Sequence, residues 1–244
     1  MAVQLQMLGT GDAHAKHYYN NNGLLLSPDF TLLIDCGTTA PAAIKAAGRS
    51  FLEVDAVLIT HLHDDHAGGL PELSLQFTQT GSRMALLAAE ALDEPLRESF
   101  LKNRPDDSRY PRSLDEAFDV KLLKPDIAHD LSAEITIKLI RTPHIRGKDS
   151  YSLLLNSTIF YSADIIFQPE LLLKLVRKHG VRRIFHECQL TGKGVIHTSL
   201  HQLLSLPPDI REMISLMHYS DEKPMYEGKT AEMTFLEQQT IYPL

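Results

Sequence analysis

Short aliphatic and β-branched runs, each ending at a turn residue, dominate the first sixty positions. The first three runs predict a meander of strands. They are Val3–Leu8, Gly23–Ser27 and Phe30–Asp35. A helix is predicted around Thr39–Ala47, and the next run, Val54–Thr60, is typical of a buried strand. Because this strand leads directly into His61, the histidines that follow should lie on a loop at a strand end.

The second half of the chain alternates strands and helices in the same way. Five further runs predict strands, and the second and third form a hairpin that turns at Asn156-Ser157. They are Ile135–Ile140, Tyr151–Leu155, Ile159–Ser162, Val181–His186 and Glu212–Met217. Strands flanked by helices predict an α/β fold, a four-layer αββα sandwich.

Two helices are predicted in this half. The first begins at Pro169 and ends with Arg177–His179 before Gly180, which is the usual order of proline, cations and glycine along a helix. His179 is therefore interpreted as a capping charge. The second, shorter helix runs from about Thr198 to Leu204.

Length and composition favour one globular domain over residues 1–244. Hydrophobic residues make up 43% of the chain, and no linker or repeat divides it. The segment Leu101–Pro125 is the least regular, and is interpreted as a solvated excursion or, alternatively, as a flexible lid or a partner-contacting arm beside the site. The uncharged stretch Ser150–Ala163 is too short to span a bilayer. No secretory signal is expected, and two cysteines without a CxxC pair favour the cytoplasm.

The run His61-Leu62-His63-Asp64-Asp65-His66 carries the main chemical information. Imidazole nitrogens and carboxylate oxygens are donors that zinc accepts, and alternate residues at a strand end can turn the same way. Three histidines and two aspartates within six positions, directly after a buried strand and before Gly68-Gly69, indicate a metal site. Asp64 is interpreted as a carboxylate that contacts the metal ligands without binding the metal or, alternatively, as a solvated one.

This motif, HxHxDH, resembles that of the metallo-β-lactamase fold hydrolases. Further segments look like the family's later motifs, and Ala163 stands where the family often has glycine. The segments are Leu8-Gly9-Thr10-Gly11, Asp35-Cys36-Gly37, Thr142-Pro143-His144, Ser162-Ala163-Asp164 and Leu216-Met217-His218. The resemblance implies two divalent ions, Zn²⁺ or alternatively Mn²⁺. The implied ligands are His61, His63 and His144 for one ion, Asp65, His66 and His218 for the other, and Asp164 between them.

Two other motifs are similar to those of the ribonuclease Z phosphodiesterases. They are His186-Glu187-Cys188 at a strand end and His197-Thr198-Ser199 at a helix start, where that family usually has alanine for the cysteine and serine before threonine. The resemblance implies that His197 contacts the scissile phosphate and that Glu187 orients it, with Asp65 as the third residue of the catalytic set. The alternative interpretation of His197 is a histidine that merely flanks a helix.

Three segments look like the anti-Pycsar phosphodiesterases of phages and their bacterial relatives: 18–25, 147–152 and 218–221. The resemblance implies a homodimer that linearises cyclic mononucleotides, cyclic CMP and cyclic UMP included, and so counters cyclic-nucleotide signalling against phages. Tyr18, Asn20, Asn21 and Asn22 could contact the base, although a polar turn explains them equally.

Two other functions stay open. A tRNA 3′-processing endonuclease is one, but a net charge of −7 and the lack of a long glycine- and proline-rich arm disfavour stable nucleic-acid binding. An inactive nucleotide-binding homologue is the other, and the filled ligand positions disfavour it.

Overall fold

The computed structural model describes residues 3–78 and 81–244. Backbone packing groups them into two compact units, each assembled from separate stretches of chain. The first unit contains the described residues through Gly9, together with Tyr19–Lys124 and Gln238–Leu244. The second contains Thr10–Tyr18 and Pro125–Glu237. Organisation as a single domain stays a prediction. Within the described ranges, no helix combines the length and apolar character needed to cross a membrane.

The first unit contains a seven-stranded mixed sheet. Its strands are β1 Gln4–Met7, β2 Gly23–Leu26, β3 Thr31–Ile34, β4 Ala56–Ile59, β5 Met84–Ala89, β6 Phe118–Leu123 and β14 Ile241–Pro243, in the order β14-β1-β2-β3-β4-β5-β6. The pairs from β14 to β3 are antiparallel, and those from β3 to β6 are parallel. Because β4 is buried at every position and sits inside this sheet, the loop that follows it starts from a rigid strand end.

The helices of the first unit are mostly short. They are α1 Ala40–Ala46, α2 Asp64–Ala67, α3 Leu70–Thr78, α4 Asp93–Asn103 and α5 Leu114–Ala117. The excursion expected over 101–125 is more regular than predicted, since α4 covers its start and α5 with β6 covers 114–123. The signal for β6 was weak because β6 is an edge strand whose middle residues, Asp119–Leu122, are largely exposed and partly charged.

The second unit contains another seven-stranded mixed sheet. Its strands are β7 Ala128–Asp130, β8 Thr136–Arg141, β9 Tyr151–Leu155, β10 Ile159–Tyr161, β11 Arg183–Glu187, β12 Ile214–Met217 and β13 Thr234–Phe235, in the order β13-β12-β11-β10-β9-β8-β7. Strands β7 to β10 pair antiparallel and β10 to β13 pair parallel. The β9–β10 hairpin turns at Asn156 and Ser157, both at positive φ, which confirms the predicted turn.

Helices cover one apolar face of the second sheet. They are α6 Pro169–His179, α7 Leu200–Leu204, α8 Pro208–Arg211 and α9 Lys223–Tyr226. Leu172 of α6 and Leu203 of α7 pack with Phe160 and Leu216 of the sheet in one buried cluster. Both ends predicted for α6 are confirmed, because Pro169 opens the helix and Gly180 ends it with φ of 72°.

His186 of β11 is a buried histidine on the helix-covered face of this sheet. Side chains alternate along a strand, and both Ile184 and Cys188 belong to the apolar cluster, so His186 points toward it as well. Its side chain is fully buried, and Nδ1 lies 2.8 Å from the Glu187 carbonyl oxygen, to which it donates. Burial lowers the pKa of His186 to about 4, so the imidazole is neutral in the fold.

A buried neutral histidine makes the fold sensitive to acid. The unfolded chain takes up the proton near pH 6.5 and the folded chain only near pH 4, so stability from this group is complete above pH 6.5 and lost as pH falls toward 4. Between pH 7 and pH 4, we expect the free energy of unfolding to fall by about 3 kcal/mol more in the parent than in His186→Asn. Asparagine is chosen because its amide retains a hydrogen-bond donor. Urea titrations of both proteins at the same zinc concentration check this. The same dependence of unfolding free energy on pH in both proteins would contradict it.

Candidate functional site

The histidine motif forms one cluster at the end of β4. His61 Nε2 lies 3.1 Å from His63 Nδ1, and the rings of His61 and His66 are 4.1 Å apart at their centroids. Asp65 Oδ2 lies 3.3 Å from His66 Nε2. His61, Asp65 and His66 are buried and His63 is half-buried, whereas Asp64 is exposed. The structure therefore brings the four predicted residues of the first unit together and leaves Asp64 in solvent.

Asp35, which directly follows β3, orients His66 of this cluster, a contact that the sequence did not predict. Its carboxylate lies 2.8 Å from His66 Nδ1 and accepts hydrogen bonds from the backbone N–H and hydroxyl of Thr60. Burial raises the pKa of Asp35, while His66 and Thr60 favour its charged form. With Nδ1 committed to Asp35, His66 presents Nε2 on the side of Asp65, the arrangement usual for a metal-ligating histidine.

Asn20 and Asn22 hold the turn at residues 37–39, next to this cluster. Asn20 Oδ1 accepts hydrogen bonds from the Thr39 N–H and the Thr38 hydroxyl, and Asn22 Oδ1 accepts one from the Gly37 N–H. All three asparagines, Asn20, Asn21 and Asn22, are buried. The structure places them inside the fold rather than at a surface open to a nucleobase. Contact between these amides and a substrate stays a prediction.

Gly37 is needed here because the turn passes very close to the histidine loop. A Cβ at this position would lie 2.0 Å from the Asp65 carbonyl oxygen, well inside contact distance. The backbone of the turn can therefore approach Asp65 only without a side chain. The glycine of the Asp35-Cys36-Gly37 motif thus permits this close approach to Asp65.

The second unit gathers its predicted residues at the carboxyl ends of β10, β11 and β12. One nitrogen or oxygen of each of Asp164, Glu187, His197 and His218 lies within 4.8 Å of the others. Asp164 also lies 3.6 Å from Nε2 of His144. Carboxyl ends of parallel strands are where α/β sheets bind ligands. The structure therefore brings together the five residues predicted in this unit.

His144 is oriented by the segment before His197. Its Nδ1 lies 2.7 Å from the Ile196 carbonyl oxygen, to which it donates. This contact leaves Nε2 on the side of Asp164. His218 likewise has Nε2 3.5 Å from Asp164 Oδ1. Both histidines thus present Nε2 to the same buried carboxylate.

Glu187 connects the strand ends of this unit. Its Oε2 lies 2.7 Å from His197 Nδ1, and its Oε1 accepts a hydrogen bond from the Ile165 N–H. The Glu187 N–H donates to the Ser162 hydroxyl. One fully buried side chain therefore ties His197 to the Ser162–Ile165 turn that presents Asp164.

The charges of Glu187 and His197 depend on each other. Burial raises the pKa of Glu187, although the hydrogen bond from His197 favours its charged form. Burial also lowers the pKa of His197, but the hydrogen bond and charge of Glu187 outweigh this and raise it overall. The pair therefore favours an imidazolium held against a carboxylate, with Nε2 of His197 facing away from Glu187.

Tyr219 anchors the backbone after His218, which has a positive φ of 53°. The Thr10 hydroxyl donates to the Tyr219 hydroxyl, which donates to the Leu236 carbonyl, and the ring of Tyr18 packs edge-on against Tyr219. Burial raises the pKa of Tyr18. Tyr18 therefore has a packing role, and its contact with a substrate stays a prediction.

The donors present in each unit fit divalent metal ions such as zinc. They are imidazole nitrogens and carboxylate oxygens, and in His66 and His144 the second ring nitrogen is already bound to a carboxylate or a carbonyl. Both cysteines are buried and free, so the donor set contains no thiolate contribution from them. These chemical features indicate metal-binding residues in both units.

Solved structures identify the fold of this protein. The metallo-β-lactamase fold protein YhfI from Bacillus subtilis matches with a TM-score of 0.76 at 17% identity, covering 98% of each chain. Human tRNase Z, short form, matches with a TM-score of 0.68 at 19% identity, again over 98% of each chain. The metallo-β-lactamase fold predicted from the sequence is confirmed.

Sequence comparison then identifies the family. The model of the family "Anti-Pycsar protein Apyc1" matches residues 3–242. A protein named anti-Pycsar protein Apyc1 from Paenibacillus sp. (strain J14) is 55% identical over 245 residues, which is 100% of both chains. The chain belongs to the anti-Pycsar Apyc1 family, as its motifs predicted.

Ala163 offers a test of the turn that presents Asp164. Its φ is 47°, a left-handed conformation that costs alanine energy but not glycine, and its side chain is buried. We expect Ala163→Gly to change the free energy of unfolding by no more than about 1 kcal/mol, and Ala163→Val to destabilise by about 2 kcal/mol or more, because β-branching adds strain. Chemical denaturation checks this. Equal stability of the glycine and valine variants would contradict the strained backbone.

Proposed function

We propose that this protein hydrolyses the phosphodiester of 3′,5′-cyclic mononucleotides, including cyclic CMP and cyclic UMP, to linear nucleotides. The observation that carries the proposal is the placement of His197. It is bonded to the buried carboxylate of Glu187, and both lie with Asp164 and His218 in one cluster of donors. A histidine held in this way suits the protonation of a leaving oxygen beside metal-binding residues.

The proposed enzyme uses two divalent ions, Zn²⁺ or Mn²⁺. By the motif order of the family, His61, His63 and His144 would hold the first ion, Asp65, His66 and His218 would hold the second, and Asp164 would be a ligand of both. When bound, such ions activate water and neutralise the charge of a phosphodiester. Clustering of the first-unit donors around His61, and of the second-unit donors around Asp164, supports the assignment.

His197 and Glu187 form the proposed acid. With Nδ1 bonded to Glu187, the proton available to a substrate is the one on Nε2 of His197. Its transfer to the departing 3′ oxygen converts a poor alkoxide leaving group into an alcohol. Glu187 stabilises the imidazolium before the transfer and keeps the ring in the productive tautomer and orientation.

The family relationship supports small cyclic nucleotides as the substrate class. Relatives over the whole chain are named anti-Pycsar proteins, which fits a role against cyclic-nucleotide signalling. The same resemblance supports a homodimer, and two cysteines without a CxxC pair favour the cytoplasm. The alternative, tRNA 3′ processing, is favoured by the shared fold of human tRNase Z, but the net charge of −7 opposes capture of a large RNA.

Turnover and metal content measured on one preparation test the proposal. We expect zinc-replete protein to hold about two ions per chain and to linearise cyclic CMP, UMP, AMP or GMP, while pre-tRNA stays uncut. Asp164→Ala should lose metal and reduce turnover by at least about a hundredfold, because a shared ligand is gone.

His201→Ala is the matched control, since His201 is an exposed histidine on α7. It should retain parental metal content and rate. Efficient trimming of pre-tRNA together with no turnover of any cyclic mononucleotide would replace the proposal with the alternative.

A further inference from the structure

A basic cavity of about 490 Å³ lies in the second unit where the chain leaves β8. It is lined by the consecutive residues 141–148 and by Ile166. Cavities of several hundred cubic ångströms are the size that proteins use for small organic ligands. The space is therefore large enough for a mononucleotide rather than for a single ion alone.

Hydrogen bonds give this cavity a fixed frame. The Ile166 N–H donates to the Pro143 carbonyl, and the Thr142 N–H donates to the Ser150 carbonyl. At the tip, the Lys148 N–H donates to the Ile145 carbonyl across a tight turn, in which Gly147 takes a φ of 79°. The turn thereby holds the chain positions of Arg146 and Lys148 beside the cavity.

The charges around the cavity favour an anion. Arg141 already pairs with Asp149, at 2.6 Å. Arg146 and Lys148 are exposed and make no ion pair with any residue in the described part of the chain. Two unneutralised cations beside one cavity stand out in a chain with a net charge of −7, and they create a local positive potential.

We propose that this cavity binds the dianionic phosphate of a linear nucleotide, with Arg146 and Lys148 as its partners. The inference rests on the proposed function, because linearisation turns a diester with one negative charge into a monoester with nearly two at neutral pH. Two cations therefore distinguish the product from the substrate. A product held beside His144 leaves slowly, so the cavity limits turnover when linear nucleotide accumulates.

Calorimetric titration of the metal-loaded protein with 5′-CMP tests this. Arg146→Gln/Lys148→Gln should weaken CMP binding about tenfold, because two charge-assisted contacts are lost from a solvent-exposed site. Lys174→Gln/Arg177→Gln is the matched control: it removes the same charge from the exposed face of α6 and should bind as the parent does. In turnover assays, the cavity variant should lose product inhibition by CMP, while KM for cyclic CMP changes by less than about threefold.

Inorganic phosphate and cytidine separate the sources of the binding energy. If phosphate affinity falls together with CMP affinity while cytidine binding is unchanged, Arg146 and Lys148 hold the phosphate, which supports the proposal; if CMP affinity falls and phosphate affinity does not, these residues do not bind the anion, which overturns it. Equal CMP affinity in the cavity and control variants, or no CMP binding by the parent at millimolar concentration, overturns it. Because binding is measured without turnover, loss of CMP affinity in a protein inactive on cyclic nucleotides would contradict the proposed function alone.

Discussion

The buried carboxylate of Glu187 is the group on which the chemistry proposed for this protein depends. A charged carboxylate without solvent is costly unless every oxygen is hydrogen-bonded. Here one oxygen faces His197 and the other accepts the Ile165 N–H. The same requirement therefore orients the acid and fixes the turn that presents Asp164. We expect removal of this carboxylate to impair proton transfer by His197 more than it destabilises the sheet.

Both sheets have the same topology, an antiparallel half joined to a parallel half. In each sheet, most polar residues of the candidate site follow the carboxyl ends of the parallel strands. Three non-glycine residues at these ends take a positive φ: Asp35, Ala163 and His218. Such conformations persist only where the surroundings hold them. Asp35 is held by Thr60 and His66, and the backbone after His218 is held by Tyr219. At these three positions, the strained backbone lies next to donor atoms that must point in one direction.

Local signals in the sequence predicted much of this fold. Strand β4, both ends of α6 and the turn at Asn156 and Ser157 each have a pattern readable within a few residues. The support that Asp35 gives His66 could not be predicted, because it joins positions 31 apart. The buried state of Asn20 could not be predicted either, since a polar turn has the same composition whether it lies under a loop or in solvent. Strand β6 was missed because an exposed edge strand has no apolar run.

The most direct test of this account is kcat and metal content measured on the same Glu187→Gln preparation. We expect the variant to retain the parental number of ions, because Glu187 orients His197 rather than holding metal, and to lose about 10² in kcat for a cyclic mononucleotide. His197→Ala should show a similar or larger loss with its metal intact. Loss of metal from Glu187→Gln, or a parental kcat with full metal, would contradict the assignment of this pair as an acid distinct from the metal ligands.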